Sequence, residues 1–167
     1  MEDKGYSIEI WSEKHPKYQD FLECLKKVVP DQLPFVEGDF YRNVPTCLYV
    51  ATFEQIVIGF LRIAIQPIGP EANCPPLTYK GKILSEAKIH AFAVREEYRN
   101  QGVGRALQEK AISLAKEKGC HQLSSYSPYQ CVANHQVKLG LGFAAQPETH
   151  TEADKQVKGV YFIMPLI

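Results

Sequence analysis

The chain has no excess of either charge: its 19 lysines and arginines match 19 aspartates and glutamates over 167 residues. A balanced chain carries no overall field to gather nucleic acid or an anionic membrane, so neither is expected as a partner, although a local basic patch stays compatible with the count. Long apolar runs are also missing. The longest, Ile56 to Ile65, contains Arg62 and falls short of the ~20 residues that cross a bilayer. The opening MEDKGYSIEIW is mixed and charged, without the pattern of a secretory signal. Five cysteines, at 24, 47, 74, 120 and 131, form no C-x-x-C pair and leave one over. That argues against a disulfide frame and against a zinc site, and fits reduced thiols in a cytoplasmic protein with no metal. Repeats, low-complexity tracts and linkers are absent too. With 45% apolar and 11% aromatic content, the chain reads as one domain, residues 1–167, with a full core.

What is present reads as alternating strands and helices. Residues 6–11 (YSIEIW) alternate as a strand does. Pro16 stands where a helix starts, with Tyr18, Phe21, Leu22, Leu25 and Val29 on one face, and Pro30 ends it. Asp31 to Arg42 is a weaker helical or looped segment. Leu48 to Phe53 and Ile56 to Ile65 read as a hairpin around Glu54-Gln55, a turn without the favoured Asn-Gly chemistry. Gln66 to Lys82, rich in proline and glycine, is the longest irregular stretch, and loops of that length are functional or mobile. Ile89 to Val94 is an apolar strand. Beyond it Val103, Ala106, Leu107, Ala111, Leu114 and Ala115 recur at helical spacing until Gly119. Gln122 to Ser127 gives another strand, Val132 to Leu141 a helix, and 143–150 and 157–165 two last strands. The alternation implies a mixed α/β layer fold.

Between the apolar strand and the amphipathic helix lies Arg99-Asn100-Gln101-Gly102-Val103-Gly104. Glycine lets main chain come close to a ligand, and the free N–H groups of a helix's first turn attract anions. Arg99 adds a fixed positive charge. The pattern reads as a pyrophosphate cradle. It is not a P-loop, because Arg105-Ala106 follows the last glycine in place of Lys-Ser/Thr. Nor is it a dinucleotide fingerprint, because Leu107 stands where the third glycine belongs.

Arg99, Gly102 and Gly104 match every fixed position of Gln/Arg-x-x-Gly-x-Gly/Ala, the acyl-CoA loop of the GNAT acetyltransferases. AFAVREEYRNQGVGRAL, Ala133-Asn134-His135, Gly142-Phe143 and the closing GVYFIM resemble the blocks around that loop, most specifically over residues 86–143. The resemblance implies a mixed, mostly antiparallel central sheet flanked by helices, with acyl-CoA in a V-shaped splay between two central strands. It implies that main-chain groups of Phe92 and Val94 hold pantetheine and polarise the acyl carbonyl. Main-chain amides of Asn100, Gln101, Gly102, Val103, Gly104 and Arg105 would meet the pyrophosphate, with Arg99 contacting phosphate or holding the loop. Asn134 would contact CoA, or else serve near its helix cap. Acetyl-CoA is then the acyl-donor cosubstrate, and the acceptor is a primary amine of a small molecule or peptide, attacking directly in a ternary complex. A homodimer is left open.

An alkylammonium cannot attack until it loses a proton, so the reaction needs a base. Many members of the family carry a carboxylate six residues before the position of Val94, where this chain has Lys88. His90 is the first candidate base, directly or through water, against the alternative of a packed histidine. Glu86 is the second, against that of a solvent-facing charge at the strand's start. The family's tyrosine acid is missing as well, since the two ways of counting to it reach Lys138 and Gln136. Tyr126 and Tyr129, read by default as buried, could take its place, and Lys138 reads as a CoA contact or a solvated charge. Acceptor choice is expected from segments 31–42 and 66–82 and the hairpin after Gln146. Phe35, Phe40, Tyr41 and Tyr79 are aromatic wall candidates there, against core or lid packing. The missing carboxylate and tyrosine make a non-catalytic acyl-CoA-binding sensor or interaction module the alternative to an N-acetyltransferase.

Overall fold

The computed structural model describes residues 5–37 and 43–166, so Phe40 and Tyr41 lie outside the described residues. Its strands are β1 (Ser7–Trp11), β2 (Thr46–Phe53), β3 (Ile56–Pro67), β4 (Thr78–Tyr79), β5 (Lys82–Ile83), β6 (Ser85–Val94), β7 (Gln122–Pro128), β8 (Ala144–Glu152) and β9 (Lys155–Pro165). Its helices are α1 (Tyr18–Val28), α2 (Leu33–Glu37), α3 (Val103–Glu117) and α4 (Val132–Gly140). α1 forms where the apolar residues share a face: Tyr18, Phe21, Leu22 and Leu25 are buried. Asp20 in its first turn and Lys26 and Lys27 in its last suit the helix dipole. It stops before Pro30, which opens a 3-10 turn, Pro30–Gln32, leading into α2.

Seven strands form one sheet in the order β1-β2-β3-β6-β7-β9-β8, while β4 and β5 pair with each other. β6 and β7 are parallel, from Glu86↔Gln122 to Ile89↔Ser125, and α3 is the crossover that parallel neighbours require. The pairs β1–β2, β2–β3, β7–β9 and β8–β9 are antiparallel. This is the mixed, mostly antiparallel sheet flanked by helices that the family resemblance implies. No helix among the described residues is long and apolar enough to cross a membrane.

The chain resolves into two compact units. The first holds residues up to Ala64 together with His90–Ala111. Its core packs Trp11, Phe21, Leu22, Leu25, Leu48, Val50, Phe60 and Ala91. The Phe21 ring meets Trp11 and Phe60 edge-on, with centroids 6.2 and 5.4 Å apart. The second holds Ile65–Ile89 and the chain from Ile112 onward, and buries Ala87, Ile89, Ala115, Leu123, Phe143 and Phe162.

One expectation about the loops changes. The stretch from Gln66 to Lys82 is more ordered than its composition suggests. β3 continues through Pro67, a 3-10 turn spans Pro70–Ala72, and β4–β5 is a hairpin turned at Lys80 and Gly81, with φ of +49° and +76°. Strands of two residues are too short to leave an alternating pattern. At the β2–β3 turn, Glu54 and Gln55 both adopt left-handed backbone, φ +46° and +68°, the geometry that Asn-Gly usually fills. Two long twisted strands impose this turn on residues that do not prefer it. Replacing Glu54-Gln55 by Asn-Gly is therefore expected to stabilise the protein by about 1 kcal/mol, read as a higher urea midpoint at unchanged m-value.

Candidate active site

The first unit carries His90, Phe92, Val94 and the whole 99–105 loop. After β6 ends at Val94 a 3-10 turn covers Glu96–Tyr98, and the chain then enters α3 through Asn100 at φ +60° and Gly102 at φ +82°. Asparagine is among the side chains that best tolerate that region, and glycine meets no penalty there. Gly104 has a different reason to be glycine. A Cβ at that position would lie 3.2 Å from the Phe92 ring and 3.6 Å from the Val94 side chain. The first turn of α3 is therefore pressed against the end of β6, with Val103, Leu107 and Ala111 buried beneath it. Its free N–H groups open beside that strand end.

The side chains of the loop serve the loop itself. Arg99 Nε donates to the Val94 carbonyl at 3.1 Å, and Gln101 Nε2 to the Glu97 carbonyl at 3.1 Å. Arg105 pairs with Glu109 at 3.0 Å on the exposed side of α3. What the loop offers an anion is main chain.

At Phe92 a side chain stands in for a neighbouring strand. The Phe92 N–H donates to Gln32 Oε1 at 2.8 Å, and Gln32 Nε2 donates to the Phe92 carbonyl at 3.1 Å. One carboxamide thus satisfies both main-chain groups, which would be costly to leave unmatched. Sequence reasoning placed Gln32 only within a segment of acceptor choice, and no pattern marks a glutamine for this task. His90 lies half-buried in the same part of β6.

Glu86 and Asn134 belong to the second unit. Glu86 is 7% exposed, not the solvent-facing charge that its place at the strand's start suggested. Its Oε1 accepts from Gln66 Nε2 at 3.1 Å, and its Oε2 from Gln122 Nε2 at 2.9 Å and Ser124 Oγ at 2.8 Å. Three neutral donors replace the water a buried carboxylate gives up. Gln66 also donates to Glu71, which pairs with Lys88, and the Lys88 ammonium lies 5.8 Å over the Tyr161 ring. Burial first, then the carboxylates of Glu148, Glu71 and Glu86, push the Tyr161 phenol above its ordinary value. Tyr126 packs its ring on Tyr161 and His150, at 5.1 and 5.4 Å. Tyr129, expected to be buried, is exposed, as are Phe35 and Tyr79.

The side chain that α4 buries is that of Lys138. Expected as a CoA contact or a solvated charge, it is 0% exposed. Its ammonium donates to Asn134 Oδ1 at 3.1 Å and lies 5.8 and 5.9 Å from the centroids of the Phe143 and Phe162 rings. Asn134 Nδ2 in turn donates to Ser127 Oγ at 3.1 Å. Burial brings the Lys138 pKa down to about 7, because an ion removed from water favours its neutral form. The spacing of Asn134 and Lys138, one helical turn apart, is the signal that could have exposed the pair.

A model of the acetyltransferase (GNAT) family matches residues 12–136. The chain belongs to the GNAT acetyltransferase family. No curated protein sequence matches it significantly. Solved structures share its fold. NAA60 of Arabidopsis thaliana in complex with acetyl-CoA aligns at 10% identity with a TM-score of 0.72, covering 96% of this chain and 98% of its own. A GNAT family acetyltransferase of Elizabethkingia anophelis with acetyl-CoA bound is 20% identical, TM-score 0.63, covering 97% of this chain and 99% of its own. The ribosomal-protein-S18-alanine N-acetyltransferase of Escherichia coli is 16% identical, TM-score 0.62, covering 96% and 94%. In this GNAT protein the glycine loop that the sequence singled out is the turn into α3 described above.

The buried lysine makes stability depend on pH. Lys138 titrates near 7 in the folded protein and near 10.5 when unfolded, so between those values the unfolded chain binds more protons. Its charge therefore destabilises most below pH 7, and the penalty is relieved as pH rises toward 10, by up to about 1.4 kcal/mol per pH unit. Lys138→Met is expected to be more stable than wild type at pH 6.5, with the gap between the two urea midpoints narrowing steadily up to pH 9.5. A pH-independent gap would place the lysine in water.

Proposed function

We propose that this GNAT protein transfers an acetyl group from acetyl-CoA to a primary amine of a small molecule or peptide. One observation carries the reading: an amide-binding strand edge at Phe92 is followed by an anion-accepting helix start at residues 100–105, within one compact unit. Gln32 shows what that edge takes, namely one amide donor and one amide acceptor. Each amide of a pantetheine arm presents the same pair, and a diphosphate suits the N–H groups of the turn. A ligand with an amide-bearing arm joined to a diphosphate answers both, and acyl-CoA is such a ligand. Gln32 yields its two hydrogen bonds when that arm binds. Asn134 adds a CoA contact, because beyond Lys138 and Ser127 its carboxamide keeps one N–H and one lone pair.

Acetyl-CoA supplies the acetyl thioester. With Phe92 holding a pantetheine amide, the main-chain N–H of Val94 polarises the carbonyl oxygen on which negative charge develops. His90 accepts the proton of the attacking amine, directly or through water. Glu86, the second candidate, already accepts three hydrogen bonds and acts as a fixed negative charge on β6 that favours a cationic amine. No cysteine sits in a nucleophile motif, so the amine nitrogen attacks the acetyl carbon directly, the C–S bond breaks and CoA leaves as its thiolate. The E. coli relative, named for an alanine of a ribosomal protein, supports a peptide amine as one acceptor class. The rival reading, a non-catalytic acyl-CoA-binding module, draws support from Lys88, held in an ion pair where the family's carboxylate would stand.

Calorimetric titration of the full chain with acetyl-CoA tests the reading, expected to show saturable binding near one per chain. Gly104→Glu, which fills the space against Phe92, is expected to abolish that binding while far-UV circular dichroism stays unchanged. Gln32→Ala removes the intramolecular competitor and is expected to bind CoA several-fold tighter. Weaker binding would mean Gln32 props the strand instead. With an amine panel, His90→Ala should lower kcat by roughly a hundredfold or more with CoA affinity kept. Absence of turnover in wild type with every amine, despite CoA binding, would favour the sensor.

A further inference from the structure

We propose that Lys138 is a positioning residue for acyl-CoA, holding the Asn134 carboxamide in register and setting a buried cation behind it. The inference rests on the reading of Asn134 as a CoA contact. A fully buried lysine is rare among folded proteins. A methionine would fill the same space without giving up hydration, so packing does not account for an ammonium here. What the ammonium does is donate to Asn134 Oδ1 at 3.1 Å, while Asn134 Nδ2 donates to Ser127 Oγ at the end of β7. These two bonds fix which way the carboxamide points. Oδ1 turns to Lys138, and Nδ2 keeps its second N–H for a ligand. Remove Lys138, and the amide flips at little cost and presents its oxygen to an anionic ligand.

The surroundings of the ammonium reinforce the arrangement. α4 itself contributes Asn134, and the rings of Phe143 and Phe162 face the ammonium. His135 packs on Phe162 at 5.4 Å and meets the Pro128 carbonyl through Nε2 at 3.0 Å. Burial is what brings the ionisation of Lys138 down to about pH 7. A polyanion docking on Asn134 favours the charged form, so CoA binding draws in a proton at neutral pH.

Titration calorimetry with CoA on the full chain, at pH 7 and pH 9 and in two buffers of different ionisation enthalpy, decides the matter. For wild type the expected result is a buffer-dependent heat at pH 7 that reports proton uptake, with affinity falling toward pH 9. Lys138→Met should bind about tenfold more weakly at pH 7, without proton uptake, and the gap to wild type should narrow at pH 9. Comparing the two proteins cancels the titration of CoA itself. Asn134→Ala should lose a similar factor, and the double variant no more than either alone, as for two residues acting through one contact. Should Lys138→Met fail to fold, Lys138→Gln gives the same decision, since the proton uptake must vanish while the hydrogen-bond donor remains. Binding within twofold of wild type with the same pH profile, or losses that add in the double variant, would overturn the proposal. A wild type that binds no CoA would instead overturn the acyl-CoA reading, and this inference with it.

Discussion

The close approach of α3 to the end of β6 is the contact on which the candidate site rests. At Gly104 the helix lies so near Phe92 that a single methyl group would stand 3.2 Å from the ring. Approach that tight needs glycine at the contact, a left-handed turn before it and a core that pulls the helix down. Val103 and Leu107, both essentially buried, supply that pull, each contributing about 2 kcal/mol from apolar area alone. The left-handed backbone at Asn100 costs about 1 kcal/mol, less than the packing returns. Arg99, tied to the Val94 carbonyl, then closes the turn. The main-chain amides are in place before any ligand arrives.

The protein handles two buried charges by opposite means. Glu86 is surrounded by the amides of Gln66 and Gln122 and the hydroxyl of Ser124, a neutral solvation shell built from β3 and β7. The Lys138 ammonium meets the faces of Phe143 and Phe162 and the carboxamide oxygen of Asn134, and burial brings its pKa down to about 7. The difference follows from what surrounds each: dipoles that turn toward an anion stabilise it, whereas ring faces offer a cation only part of what water gave.

Much of this arrangement was legible in the sequence. The helical period from Val103 to Ala115, the glycines and Arg99 located the turn into α3, because periodicity and backbone freedom are local properties. The hairpin around Glu54-Gln55 was found from its flanking strands, although the turn residues argued against it. Partners far apart in the chain were not readable. Gln32 meets Phe92 sixty residues on, and Gln66 from β3 and Gln122 and Ser124 from β7 converge on Glu86. Nothing in a run of neighbours predicts such a meeting. Lys138 was misjudged for a related reason: a lysine on a short helix normally faces water, and only the position of Phe143 and Phe162 shows otherwise.

The small β4–β5 hairpin has a consequence for how the molecule meets proteases. Its tip, Lys80-Gly81, is exposed and held in left-handed backbone, and its base is fastened by main-chain bonds among Ile68, Leu77 and Leu84. Two strands of two residues have little to resist local opening, which makes the bond after Lys80 a natural point of attack for a trypsin-like enzyme. Because β4 and β5 stand apart from the seven-stranded sheet, a nick there severs none of its strands, and the two fragments remain joined by the fold they already share.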